Sequence, residues 1–417
     1  MLLDLFPETA TIVDGELMLG DLSASELADE FGTPLLVYCE TTLRAQAHAY
    51  ASVDPDALIV YGTKAFPNVE IMRLFAELGF GADVSTLGEL EFARRAGLSG
   101  ERIVFHGNNK SDDELAAAAE THALVVLDAI GEVERAHAAG VRRVLLRLTP
   151  GIDAETHRSI QTAHAESKFG LDEPQALEAL ARARRALEPI GVHIHIGSQL
   201  VRVDESLDAV DRLAAFCRRC REEQGWTPQL VDLGGGLGVR QSVDERLPTA
   251  VEFAGALVAR FRTAWDEPVR IALEPGRSLV GHAGVTLYRI GAIKHCGRID
   301  YAAIDGGMSD NPRPQLYGAR YEALLANRAD EEGVRSYRIA GKHCESGDVL
   351  IDSVLLPEPR RGDILAVPAT GAYTLAMAST YNGVPRPAAV LVADGRARLI
   401  RERETIDDLL RFEPAPN

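Results

Sequence analysis

Between residues 58 and 277 the chain alternates short apolar runs with longer stretches in which apolar side chains recur every three or four positions. The apolar runs are Leu58–Tyr61, Gly81–Val84, Ile103–Phe105, Leu124–Leu127, Val144–Leu148, Val192–Ile196, Leu230–Leu233 and Ile271–Leu273. In one interval Ile71, Leu74, Phe75 and Leu78 sit at i, i+3, i+4 and i+7, the spacing of a single helical face. Strands that are apolar nearly throughout, separated by helices, predict a parallel sheet covered on both faces. Eight such units are the number needed to close a (β/α)8 barrel of the TIM type. An open doubly wound sheet is the alternative.

The pattern changes after residue 285. Val285–Lys294, Tyr301–Ile304, Arg335–Ala340, Val349–Leu355, Ile364–Val367, Ala388–Ala393 and Arg396–Arg401 read as strands joined by turns, with one helical segment expected near Tyr321–Ala329. Near the N-terminus Ala10–Val13 and Leu17–Leu19 flank Asp14-Gly15, a hairpin signal. The expected fold class is therefore α/β plus all-β: a barrel over residues 36–284 and a β-sandwich or β-barrel domain over 285–417. Strands from residues 1–35 are expected to join that second domain.

The 417 residues are 46% hydrophobic and 25% charged, enough to bury a large core. A net charge of −18 argues against nucleic acid or an anionic membrane as partner, because phosphates are repelled over most of such a surface. The N-terminus has no basic stretch followed by an apolar run, so neither a signal peptide nor a membrane span is expected. Five scattered cysteines fit free thiols in a reducing compartment, and a cytoplasmic protein is expected. Cys217 and Cys220 form a CxxC inside the periodic stretch Leu207–Glu223; with no second CxxC they read as ordinary helix residues, and no metal site is expected.

In a barrel of this kind the active site lies at the C-terminal ends of the strands. Those positions hold Lys64, Asp83, His106 and Asn108, Asp128, Arg147, His195 and Ser198, Gly234 to Gly236, then Glu274 and Arg277. Lys64 leaves the first strand; burial at a barrel mouth disfavours the charged amine and suits it to attack a carbonyl, so it is a candidate Schiff-base residue. The glycine-rich run Asp232–Gly238 and the segment Glu274-Pro-Gly-Arg277 follow strands seven and eight, where barrels commonly hold a phosphate. A dinucleotide loop, or a tight turn with no ligand, competes for the same glycines. A Schiff-base lysine, a phosphate cradle and a carboxylate at a strand end together suggest pyridoxal phosphate, with Glu274 keeping the ring nitrogen protonated. Either His193 or His195 could stack on the ring; for His193 a buried, hydrogen-bonded role is preferred.

The segments Tyr61-Gly-Thr-Lys-Ala65, His106-Gly-Asn-Asn-Lys-Ser111, Ser167-Lys-Phe-Gly170, His195-Ile-Gly-Ser-Gln199, Gly234-Gly-Gly236, Glu274-Pro-Gly-Arg277, Asp305-Gly-Gly-Met-Ser-Asp310, Cys344-Glu-Ser-Gly-Asp348 and Gly371-Ala-Tyr373 occur in this order. With them the chain resembles the fold type III pyridoxal-phosphate decarboxylases, and among these the branch acting on meso-2,6-diaminopimelate. The resemblance implies decarboxylation of that substrate to L-lysine and CO2, the last step of lysine biosynthesis. It implies Lys64 as the Schiff-base residue, Glu274 on the pyridinium nitrogen and His195 over the ring. Ser198, Gly234, Gly235, Gly236, Gly276 and Arg277 fall around the phosphate, while Asp83 and Glu89 fall near the lysine and the ring. Arg277 is implied to reach substrate as well, Arg313 and Tyr317 are implied as substrate-carboxylate ligands, Glu345 as the ligand of the distal amine, Cys344 as the proton donor, and Tyr373 beside both cofactor and substrate. A homodimer with shared active sites is implied as well. One departure is Phe66, where many members carry Asn. Sister decarboxylases of ornithine, arginine or carboxynorspermidine, a racemase of the same fold, and a catalytically silent cofactor-binding regulator are the alternatives.

Overall fold

The computed structural model describes residues 2–151 and 167–414. The chain divides into two compact units, one of Gln46–Gly238 and Arg246–Leu279, the other of Met1–Ala45, Val239–Glu245 and Val280–Asn417.

In the first unit eight parallel strands close into a barrel: Leu58–Gly62, Gly81–Val84, Ile103–Phe105, Leu124–Leu127, Arg143–Arg147, Glu188–His193, Leu230–Asp232 and Arg270–Leu273. The ring closes where Ala272 and Leu273 of the eighth strand pair with Leu58 and Ile59 of the first. The sixth strand begins and ends earlier than its apolar pattern suggests, at Glu188 and His193, with an irregularity between Pro189 and Gly191. The run Val192–Ile196 is apolar because the residues beyond the strand are also buried.

Side chains alternate across a strand, and that parity explains the barrel's interior. Leu58, Val60, Val104, Leu124, Val126, Leu145, Leu230 and Ala272 form a buried apolar cluster. Two residues further along each strand, in the same phase, come Gly62, His106, Asp128, Arg147, Asp232 and Glu274. The inner face thus changes from an apolar floor to a polar layer at the C-terminal mouth.

The second unit is built on a nine-stranded mixed sheet. Its long strand Gly284–Cys296 pairs with Leu35–Cys39, Ile299–Ile304 and Ile364–Val367. Each face of the sheet contributes to a core. Val285 and Leu287 join one core with Leu35, Val37, Ala366 and Val390, whereas Tyr288 and Ile290 join the other with Ile304, Leu365 and Val367. The Asp14-Gly15 hairpin forms as expected, between Thr11–Val13 and Glu16–Leu19, and a third strand, Leu22–Ser23, completes a small separate sheet.

Two local expectations differ from the structure. The N-terminal strand that enters the large sheet is Leu35–Cys39, antiparallel to Gly284–Cys296 and parallel to Ala388–Ala393. The unit therefore extends to Ala45, whereas the sequence reading turned to the barrel at residue 36. All five residues of that strand are buried, so their pattern is the same as a barrel strand's. The helix expected near Tyr321–Ala329 is instead a short strand, Leu324–Leu325, followed by one 3-10 turn. Tyr321, Ala323 and Leu325 face one core while Leu324 and Ala326 face the other, a period of two that apolar content conceals. The helix of this region is Arg313–Tyr317, with Pro314 in its first turn and a left-handed Gly318 at its end.

Candidate active site

The polar layer at the barrel mouth is organised around Glu274, which follows the eighth strand. Its Oε1 lies 2.6 Å from His106 Nε2 and its Oε2 lies 3.1 Å from His193 Nε2, so each oxygen faces one imidazole. The donor atoms of His106, His193, Asp232 and Glu274 all lie within 4.8 Å of one another, and all four residues are buried. Because both imidazoles are spent on Glu274, the group reads as a hydrogen-bond network rather than a cation site. Burial acts to raise the pKa of Glu274, but the N–H groups that His106 and His193 turn toward it, by electrostatic attraction and hydrogen bonding, outweigh it and hold the carboxyl well below the usual range. Burial lowers His193 to about 4, so its ring is neutral at pH 7. Asp232 goes the other way: burial, then the neighbouring charge of Glu274, push it well above an ordinary carboxyl. The two buried acids are thereby pushed in opposite directions.

Lys64 lies in the single 3-10 turn that follows the first strand, with Nζ 3.2 Å from Asp83 Oδ2. Its side chain is 47% exposed, whereas Asp83 is buried. In the chain by itself Lys64 is thus not desolvated as the sequence led one to expect, and the Asp83 carboxylate is its charged neighbour. Glu89 is held beside this pair by the start of the helix Leu87–Arg95, where Thr86 caps the backbone and Glu89 Oε2 accepts the Ser85 N–H at 2.7 Å. Burial and the Asp83 charge raise the pKa of Glu89.

On the far side of the mouth lies a cradle. A Cβ on Gly235 would fall 2.1 Å from the carbonyl oxygen of Glu274, and one on Gly236 would fall 2.6 Å from that of Gly197. Gly234 and Gly236 also adopt φ of +68° and +115°, a region that favours glycine. Arg277 opens the short helix after the eighth strand and donates to Ser198 Oγ from Nη2 at 3.0 Å. His195 Nδ1 accepts from the Gly235 N–H at 3.4 Å, and burial followed by the charges of Lys64 and Arg147 hold its pKa well below the ordinary value. These residues fit a phosphorylated aldehyde cofactor: a lysine for the aldehyde, an ionised carboxylate for a ring nitrogen, and glycine amides, a hydroxyl and a guanidinium for the phosphate.

Other residues of the quoted segments are supports. Lys110 is buried and spends its three donors on Gly107 O, Val126 O and Glu132 Oε1 at 2.8, 2.6 and 2.8 Å. Asp128 Oδ1 accepts the Gly170 N–H at 2.7 Å, and the Arg147 guanidinium lies 4.5 Å from the Phe169 ring centre, which together anchor Ser167-Lys-Phe-Gly170.

Within the second unit, Asp348 ties two of the segments together. Its Oδ1 accepts from Met308 N at 2.7 Å and its Oδ2 from His343 N at 2.8 Å. His343 is buried against Ser309, whereas Cys344 and Glu345 are exposed at the loop tip, with the Cys344 N–H donated to Asn382. Arg313 is buried; Nη1 donates to Tyr321 Oη at 2.7 Å, and its Nε has no hydrogen-bond partner among the described residues. Tyr317 Oη reaches Met377 Sδ at 4.0 Å. Tyr373 has φ +58°, an unusual backbone for an aromatic residue.

The sequence pattern by itself gives no role to His106 or Asp232 and marks His193 only as a buried, hydrogen-bonded histidine. The signal available was parity: His106, Asp232 and Glu274 lie in the inner phase of their strands. All five cysteines are free; Cys217 and Cys220 are buried in the helix Asp204–Gln224. Among the described residues, no helix is long and apolar enough to cross a membrane.

Residues 40–281 match the family model described as pyridoxal-dependent decarboxylase, pyridoxal binding domain. The chain is 43% identical to the diaminopimelate decarboxylase of Actinosynnema pretiosum, over 98% of this chain and 95% of that one. It is 40% identical to that of Bacillus subtilis, over 96% and 95%. Among solved structures, the diaminopimelate decarboxylase from M. jannaschii in co-complex with L-lysine superposes with a TM-score of 0.92 at 34% identity, covering 98% of each chain.

Proposed function

Because this chain belongs to the diaminopimelate decarboxylase family of pyridoxal-dependent decarboxylases, we propose that it converts meso-2,6-diaminopimelate to L-lysine and CO2 with pyridoxal phosphate held at its barrel mouth. The observation that carries the reading is the ionised Glu274 buried between two imidazoles, on the same strand-end layer as the Lys64–Asp83 pair. When bound, the cofactor supplies an aldehyde that captures the substrate amine and a ring that takes up the electron pair left by CO2.

The chain's own residues do the rest. Lys64 would hold the aldehyde, and Asp83 and Glu89 would set the charge around it. Glu274 would hold the ring nitrogen and His195 would lie over the ring. Gly234, Gly235, Gly236, Gly276, Ser198 and Arg277 would hold the phosphate. Arg277 also reaches substrate, with Arg313 and Tyr317 taking carboxylate and Glu345 the distal ammonium. Cys344 returns a proton to the α-carbon; its exposure suits a group that must meet substrate. Tyr373 borders cofactor and substrate. We assign the working form to a homodimer in which the Cys344–Glu345 tip of one copy completes the site of the other. Five free thiols support a cytoplasmic setting.

The test is to incubate the purified chain and pyridoxal phosphate with meso-diaminopimelate, lysine, ornithine, arginine and carboxynorspermidine, following CO2. Release from diaminopimelate alone is expected; equal turnover of ornithine or arginine would overturn the substrate assignment. Arg313→Ala should raise KM about ten- to a hundredfold, the loss of a charge-assisted hydrogen bond, while the cofactor stays bound. An unchanged KM would remove Arg313 from the site.

A further inference from the structure

Glu274 is gripped from both sides, and the two grips differ in kind. His106 follows the third strand and donates from an edge-on ring, its plane 64° from that of His193 and its centre 4.8 Å away. His193 ends the sixth strand, is 1% exposed, and has only Nε2 within reach of the carboxylate. An ionised carboxylate only accepts, so the proton of this 3.1 Å contact sits on His193 Nε2. A neutral imidazole has one N–H, which leaves Nδ1 bare; among the described residues that buried Nδ1 indeed has no hydrogen-bond partner. A bare acceptor is the less demanding atom to leave unpaired in a core. The ring is thereby committed to one tautomer and one task.

Asp232 completes the arrangement. It shares the buried group with Glu274, and its Oδ1 accepts the Gly234 N–H at 2.8 Å, which ties the start of the glycine cradle to the same cluster. Two carboxyls this close do not both ionise readily. The N–H donors on Glu274 decide which of the two carries the charge.

We infer that His193 is a positioning residue for the decarboxylation, its Nε2–H holding the Glu274 carboxylate as the charged member of the Glu274–Asp232 pair and aiming it at the cofactor's ring nitrogen. This rests on the assignment of Glu274 to that nitrogen. Without His193 the charge is shared with Asp232, the ring nitrogen loses its proton over part of the working pH range, and the reaction loses its electron sink while substrate binding is little changed.

The test uses holoenzyme loaded with cofactor labelled with 15N in the ring, read by 15N NMR across pH 6–9. The parent is expected to show a protonated ring nitrogen. His193→Met removes the donor and should shift the nitrogen toward the unprotonated signal at the alkaline end, with kcat down about ten- to a hundredfold and KM within about threefold. His193→Gln, which keeps an amide donor, should restore most of both. A ring nitrogen in His193→Met that titrates as in the parent overturns the inference, as does a glutamine variant no better than methionine. Glu274→Gln separates the two readings: if it leaves the nitrogen protonated, the assignment of Glu274 fails, whereas loss in Glu274→Gln without loss in His193→Met fails the His193 inference alone. A measurement on the parent stands even if His193→Met does not fold. With 15N-labelled histidine, His193 should show a protonated Nε2 and a bare Nδ1 throughout pH 6–9; the opposite tautomer, or an imidazolium, overturns the proposal.

Discussion

Lys64 shows how a residue's type can be informative while its imagined environment is not. Its place after the first strand pointed to amine chemistry, but the side chain is 47% exposed and paired with Asp83 at 3.2 Å. The environment this chain by itself gives Lys64 is therefore the Asp83 carboxylate rather than a desolvating pocket. Lys64→Ala should abolish the visible absorbance of the lysine-bound cofactor and lower kcat at least about a thousandfold, as expected when a covalent partner is removed. A retained band after dialysis would point to another lysine. Cys344 and Glu345 were singled out by resemblance, and the structure places both at an exposed tip braced by the buried Asp348. His193 is the contrasting case. Nothing in the string His193-Ile-His195 tells which ring meets Glu274, since that partner is 81 residues away.

At the scale of elements, strand parity and loop glycines decide the site. The inner phase that runs Val104 to His106, Leu230 to Asp232 and Ala272 to Glu274 converts an apolar floor into a polar layer within one residue pair. The glycine tract then has to pass against the eighth strand's end. Gly235→Ala places a methyl 2.1 Å from the Glu274 carbonyl, a backbone atom that cannot rotate away. This variant should lose cofactor affinity at least about tenfold, or fold poorly, because moving that carbonyl also moves the Glu274 side chain. Fluorescence titration of the apoenzyme with pyridoxal phosphate would show it, and parent-like affinity together with a parent-like unfolding midpoint would argue that the cradle is looser than its geometry. Elements also explain the missed helix. Tyr321 to Ala326 buries alternate residues in two cores, and only the presence of a core on each face separates that from a helix.

For the molecule as a whole, buried ionisable groups make stability depend on pH with opposing signs. Asp310 is buried, which raises it to about 7, against opposing hydrogen bonds from Tyr288 and the Gly307 N–H. Its native form binds a proton that the unfolded chain has released, so its contribution is present below pH 4 and is lost as pH rises from about 4 to about 7. His282 is lowered by burial, and further by Arg240, to about 4. Here the unfolded chain binds the extra proton, so stability is lost as pH falls from about 6.5 to about 4. Relative to the parent, Asp310→Asn should therefore gain stability as pH rises through the first window, by at most about 4 kcal/mol. His282→Gln should gain as pH falls through the second. Unfolding midpoints at several pH values would test both, and parallel curves for parent and variant would refute the shift concerned.

What the amino-acid string determined by itself is whatever local period and residue type can carry. Eight apolar runs at helical intervals favour a closed parallel barrel over an open sheet, turn chemistry at Asp14-Gly15 favours a hairpin, and the polar residues at strand ends mark the mouth. What only the tertiary structure decided is which distant groups share a dielectric. His106, His193, Asp232 and Glu274 stand on four different strand ends, and barrel closure brings them together in a buried group. The same holds for Leu35–Cys39, whose partners lie about 250 residues or more downstream. Strand composition records that a segment will be buried, and long-range pairing records against what.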